Sequence, residues 1–188
     1  MRRVVYTRRM ILSQTKRYII QNGFRNVTAR NLAAYMEMST QPLYKQFDSI
    51  QGLQQELVEE HFHKLAQEYD SQKCDQETSL QDFAEFFVAR SQKEYPWFTQ
   101  LFLTKKRDDS VAECVTQCSY ELFKSLCNVE EKEGNPDLKE AHDAFLALLI
   151  GATVWQKQQK NHHASAELGT LLQPQLNQLV AVNVQKNH

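Results

Sequence analysis

Between Thr7 and Asn22 the positions Ile11, Leu12, Thr15, Tyr18 and Ile19 recur at spacings of three and four, which makes one buried stripe on an α-helix with Lys16 and Arg17 outside it. The same period returns further along the chain. Leu53, Leu57, Val58, Phe62 and Leu65 carry it between about Ile50 and Asp70, and helical patterns recur near 80–93, 96–104 and 110–130, with Pro96 marking one start. Only five glycines and four prolines interrupt 188 residues, while Gln, Glu, Lys, Leu and Ala recur, so helices are favoured over a turn-rich β architecture. The expected fold class is all-α, with no internal repeat and no low-complexity tract.

The first fifty residues are punctuated more closely than the rest. Gly23 is expected to end the first helix as a left-handed cap. Thr28 can cap a second, short helix with Leu32 and Ala33 facing in and Arg30 and Asn31 facing out, spent by about Met36. After a turn at Glu37, Met38 and Ser39, a third helix is signalled by Thr40 as a cap, by Pro42 in the first turn, and by Leu43 and Phe47 one turn apart. In this arrangement Leu32 and Ala33 meet Leu43 and Phe47, leaving Gln41, Tyr44 and Lys45 together on the opposite face. That is the geometry of a helix-turn-helix, in which one helix braces another laid in the DNA major groove. Gln41 can pair with adenine, Lys45 with guanine or a phosphate, Pro42 can pack on a thymine methyl, and Tyr44 can reach a phosphate through its hydroxyl.

Charge agrees with this reading. Residues 1–50 hold nine Lys and Arg against two acids, a net +7, so the other 138 residues carry −8 to reach the overall −1. A basic head on an acidic body suits a polyanion-binding module joined to a domain that must not bind polyanions. The alternative that charge alone leaves open is a nonspecific nucleic-acid-binding or interaction protein with a basic N-terminal head.

Ile11-Leu12, Gly23-Phe24, Thr28, Leu32-Ala33, Ser39 and Leu43-Tyr44-Lys45-Gln46-Phe47 resemble, in register, the N-terminal domain of the TetR family of bacterial repressors. The resemblance covers about the first 55 residues; beyond them the likeness lies only in helix content, helix order and length. It implies a homodimer on double-stranded operator DNA, an effector pocket in the C-terminal domain, and release of operator when a small apolar or aromatic effector binds. The expected organisation is a helix-turn-helix domain at 1–50 and a helical regulatory and dimerisation domain at 51–188. The candidate DNA-binding residues are Arg8, Arg9, Thr28, Arg30, Ser39, Thr40, Gln41, Pro42, Tyr44 and Lys45. Two departures stand out: Glu37 occupies the turn where the family usually has Gly, and Ile50 stands where a Lys often starts the fourth helix. Arg8, Arg9 and Arg30 can compensate for that lost phosphate contact.

The segment from Ala144 to Trp155 is apolar on nearly every side, so its helix must be buried on more than one face. Leu168, Leu171, Leu172, Leu176, Leu179 and Val180 add a second seam, and two copies of this helix pair can form a four-helix interface, with Pro174 expected to kink or break the last helix. An intramolecular hairpin is the alternative. Phe83, Phe86, Phe87, Trp97, Phe98, Phe102, Tyr120 and Phe123 read chiefly as core, and none is assigned to an effector. Cys114 and Cys118 lie one helical turn apart, which suits buried thiols first and a metal or thiol switch second. No disulfide framework, metal cluster, phosphate loop, nucleophile elbow or HExxH motif is present, so no enzyme, cofactor or metal is expected. No apolar run approaches a membrane span, and Arg8 and Arg9 interrupt the N-terminus where a secretion signal needs an apolar core, so the expected location is the cytoplasm.

Overall fold

The structure is a computed structural model that describes residues 6–72, 79–104, 109–128 and 136–159. Among these residues all regular structure is helical: α1 (Arg8–Asn22), α2 (Ala29–Tyr35), α3 (Gln41–Gln46), α4 (Ile50–Gln72), α5 (Leu80–Lys93), α6 (Tyr95–Phe98), α7 (Asp109–Cys127) and α8 (Pro136–Gln158). The expected all-α fold, a helix-turn-helix followed by a helical domain, is the fold observed. The seam at 168–180, Pro174 and Cys74 lie outside the described residues.

The described residues form two compact units, one from those of 6–63 with 95–118 and one from those of 64–94 with 119–159, so α4 and α7 each contribute to both. In the first unit the stripe of α1 is buried as its spacing predicts, from Ile11 and Leu12 through Thr15 to Tyr18 and Ile19. The hydroxyl of Thr7 accepts the Met10 N–H at 3.3 Å and starts the helix. At the other end Gly23 has φ 81° as expected, but ψ 160°, so it is not a left-handed cap. Its backbone is extended with positive φ, a region open almost only to glycine. This turn leads into a short 3-10 turn that carries Phe24 into the core at 2% exposure, where its ring centroid lies 5.7 Å from that of Trp97. The buried amide of Gln54 on α4 closes the same turn by donating to the Phe24 carbonyl at 3.0 Å.

The expected helix at 96–104 is two elements. α6 ends at Phe98, and Thr99–Leu103 continues as a wider π turn, closed by the Thr104 N–H to the Thr99 carbonyl at 3.1 Å. The Thr104 hydroxyl donates to the same carbonyl at 3.1 Å, which favours the wide turn. Trp97, Phe98 and Leu101 are buried there.

In the second unit α5 packs along α8. Leu80, Phe83, Ala84, Phe87, Val88 and Ser91 form the buried face of α5, capped by the Ser79 hydroxyl, which accepts from Gln81 N–H at 3.1 Å. Phe83 meets Phe145 of α8 at 6.3 Å between centroids, and Phe145 meets Phe123 of α7 at 5.3 Å. The sequence predicts burial of α8 on more than one face; among the described residues Leu138, Ala141, His142, Phe145, Leu149, Ala152 and Thr153 are buried and Leu146, Leu148, Ile150, Val154 and Trp155 half-buried, whereas Ala144, Ala147 and Gly151 are exposed.

The His142 imidazole is buried in this core, at 2% exposure. Its Nε2 lies 3.0 Å from the Ser119 hydroxyl and its Nδ1 2.9 Å from the Asp143 carboxylate. A neutral ring that donates from Nδ1 and accepts from the serine satisfies both contacts. Burial lowers its pKa below the usual 6.5, with the Asp143 carboxylate opposing and Lys139 adding to the fall. The unfolded chain therefore takes up a proton in acid more readily than the native one. Stability from this site is present above about pH 6.5 and is lost as pH falls from there toward the native value, at up to about 1.4 kcal/mol per pH unit. Urea midpoints measured between pH 8 and 5.5 are expected to fall more steeply for the natural chain than for His142→Gln; equal slopes exclude this residue as the source.

Candidate nucleic-acid interface

α2 begins at Thr28, whose hydroxyl accepts the Asn31 N–H at 3.1 Å, while the Asn31 amide donates to the Asn26 carbonyl at 2.8 Å. Thr28 thus holds the capping role its sequence position predicts. The turn out of α2 is closed by the Met38 N–H to the Ala33 carbonyl at 2.9 Å and by the Glu37 N–H to the Ala34 carbonyl at 3.2 Å. Glu37 sits at φ 52°, so this chain holds a left-handed turn residue without glycine. Glu37→Gly is expected to stabilise the protein by about 1 kcal/mol and raise Tm by about 2–4 °C; an unchanged melting curve would show the turn carries no strain.

Thr40 occupies the N-terminal cap position of α3 but corrects the expectation of a hydroxyl cap. Its backbone is already helical, at φ −72° and ψ −16°, and its side chain makes no capping bond. An extended backbone is what aims a cap hydroxyl at the following N–H groups, and Thr40 lacks it. α3 is held instead by packing, with Leu43 at 1% exposure and Phe47 at 5%. On its other side Gln41, Tyr44 and Lys45 are all exposed, Tyr44 at 58%, and they share one face at spacings of three and four. Ser39 and Thr40 are exposed just before the helix, and Pro42 is half-buried in its first turn. Arg9 and Arg30 are exposed on α1 and α2.

Arg8, also exposed, is paired within the protein. Its Nε donates to Glu56 Oε1 at 2.6 Å, Nη2 pairs with the other carboxylate oxygen, and Nη1 donates to the Gln46 carbonyl at the end of α3. The guanidinium also lies 4.5 Å from the Phe47 ring centroid, and the hydrogen bond to Glu56 raises its pKa further. Arg8 ties α1 to α3 and α4 as a fork on a carboxylate. Neither Glu56 nor the Gln46 carbonyl was visible as its partner in sequence, because they lie 48 and 38 residues away.

α4 starts under the Ser49 hydroxyl, which accepts the Gly52 N–H at 2.9 Å. Ile50 is half-buried there and lines an open cleft with Phe24, Arg25, Val27, Gln51, Gln54 and Asp109. Arg25 was not among the sequence candidates, yet it brings a cation to the cleft where the expected lysine is missing. The basic count of the first fifty residues was the signal that contained it.

Residues 11–57 match the family described as bacterial regulatory proteins, tetR family. No curated protein matches the sequence. The fold is shared with solved structures along most of the chain. The fatty acid degradation regulator FadR from Bacillus halodurans superposes with a TM-score of 0.61 at 14% identity, covering 95% of this chain and 97% of that one. Salmonella enterica GusR gives 0.61 at 19% identity, over 93% and 95% of the two chains. SmeT, the repressor of the Stenotrophomonas maltophilia multidrug efflux pump SmeDEF, gives 0.59 at 14% identity, over 94% and 89%. At such identities these neighbours speak for the fold alone. The buried brace under an exposed face of α3 lies within residues 11–57, so the stretch that is similar to the tetR family of bacterial regulatory proteins has the form of a helix-turn-helix.

Proposed function

We propose that this protein is a tetR-family transcription regulator, a homodimer that binds double-stranded operator DNA through α3 and acts as a repressor released by a small apolar or aromatic effector. The observation that carries the DNA reading is the exposure of Gln41, Tyr44 and Lys45 on one face of a helix anchored by Leu43 and Phe47. Gln41 reads a base edge, with Lys45 beside it and Pro42 toward a thymine methyl. Tyr44, Thr28, Ser39, Thr40, Arg9 and Arg30 meet the phosphate backbone, and Arg25 joins them at the start of α4. Arg8 serves by holding α3 in place.

The dimer reading is supported by a face of α8 that the described residues leave exposed or half-exposed. Ala144, Ala147, Leu148, Gly151 and Trp155 lie along it without a charged residue among them, and a second copy related by a two-fold axis can cover it. A two-fold protein reads a two-fold site. For the effector, the structural neighbours named for fatty acid degradation and multidrug efflux make apolar small molecules the class to test first.

Selection of DNA from a random pool at near-physiological salt tests this reading. Enrichment of an inverted repeat is the expected result. Binding without enrichment favours a nonspecific nucleic-acid-binding protein, and no binding overturns the assignment.

A further inference from the structure

Cys114 and Cys118 stand one turn apart on α7, both half-buried, with their sulfurs 3.9 Å apart. Cys114 Sγ also lies 3.8 Å from the backbone carbonyl of Gln55 on α4, inside the unit that carries α3. A disulfide does not suit this pair. It needs Cβ atoms about 3.8 Å apart, whereas side chains one helical turn apart start from Cβ atoms about 5–6 Å apart, so that bond would unwind α7.

A metal ion makes no such demand. With metal–thiolate bonds of about 2.3 Å, the present 3.9 Å closes an angle of about 115° at an ion between the sulfurs, and widening by about 0.7 Å makes the three atoms linear. Among the described residues no group of three or more His, Cys, Asp or Glu could hold a metal. Zinc, which takes four ligands, is therefore poorly served, whereas a soft ion satisfied by two sulfurs is well served. Burial first, and Cys118 next, push the Cys114 thiol up to about 12, so at neutral pH it is protonated and a slow target for peroxide.

We propose that Cys114 and Cys118 form a two-thiolate site for a thiophilic metal ion of the monovalent-copper class, and that its occupancy alters DNA binding. On binding, two S–H bonds break, two metal–sulfur bonds form, two protons pass to solvent, and no electron is transferred. The coupling to DNA rests on the reading of α3 given above. An ion between the sulfurs moves the one that touches Gln55. The next residue, Glu56, holds the Arg8 fork that also grips the Gln46 carbonyl at the end of α3. α4 cannot shift at Gln55 without moving that clamp.

The test uses the full chain, reduced and free of oxygen, titrated with monovalent copper in competition with a chromogenic chelator. A Cys74→Ser/Cys127→Ser chain serves as control, Cys74 lying outside the described residues. The expected result is one ion per chain with two sulfur neighbours by X-ray absorption, retained in the control and weakened at least about tenfold in Cys114→Ser and in Cys118→Ser. Cys114→Ala is a second variant in case the serine perturbs folding, and thermal melts check each chain. Wild-type protein that takes up no copper, or a Cys114→Ser/Cys118→Ser chain that keeps full affinity, overturns the site. Copper is expected to change operator affinity by at least about fivefold in the natural chain and the control but not in Cys118→Ser; no change in the natural chain overturns the coupling. Protein without copper that binds no DNA defeats the reading of α3, while the copper titration still judges the site by itself.

Discussion

Leu43→Ala is expected to lower the free energy of unfolding by about 2–5 kcal/mol and to abolish DNA binding. Leu43 is 1% exposed, and its side chain fastens a helix of only six residues whose N-terminal cap makes no side-chain bond. So short a helix does not persist without tertiary packing. The loss is a large part of the roughly 5–15 kcal/mol that holds a typical domain together. Urea unfolding should show a lower midpoint with an unchanged slope. Lys45→Ala, two residues away and exposed, should stay within about 0.5 kcal/mol of the natural chain. A Leu43→Ala protein with the natural midpoint and full DNA affinity would mean that something other than this packing holds α3.

Gln41→Ala is expected to weaken binding to the operator by about 1–3 kcal/mol and to relax preference at one base pair, with folding unaffected. Its amide is exposed in the first turn of α3, the end of a recognition helix that comes nearest the base edges. Arg9→Ala should instead weaken all DNA by a similar factor and make the salt dependence shallower, because a phosphate contact is the same at every site. Equal losses for Gln41→Ala on operator and on random DNA would count against base readout. Binding curves on both DNAs at two salt concentrations separate these outcomes.

The helices of this protein were legible because their causes are local. The interval from Leu80 to Val88 puts five apolar residues on one side of α5 whatever lies opposite, and those residues are buried. Thr28 starts α2 by bonding a residue three positions away, a matter settled within one turn of chain. The exposure of Gln41, Tyr44 and Lys45 comes from the same short-range rule once Leu43 and Phe47 are turned inward. The sequence misleads where backbone angles depend on the path of the next few residues. Gly23 has the positive φ expected but an extended ψ, because the chain must next carry Phe24 under Trp97. Thr40 lost its cap because its own backbone had already turned helical.

Periodicity and punctuation in the sequence by themselves determined the helical class, the order of the elements and which face of each is apolar, since each depends on residues within a turn or two of one another. Only the tertiary structure decided the pairings between residues far apart in the chain. Arg8, counted as a DNA ligand, was claimed by Glu56 and the end of α3. His142 found Ser119, 23 residues away, and Cys114 came to rest against the Gln55 carbonyl. Such pairings arise from how helices pack, and a charged or nucleophilic side chain carries no local mark of the partner that packing will bring to it.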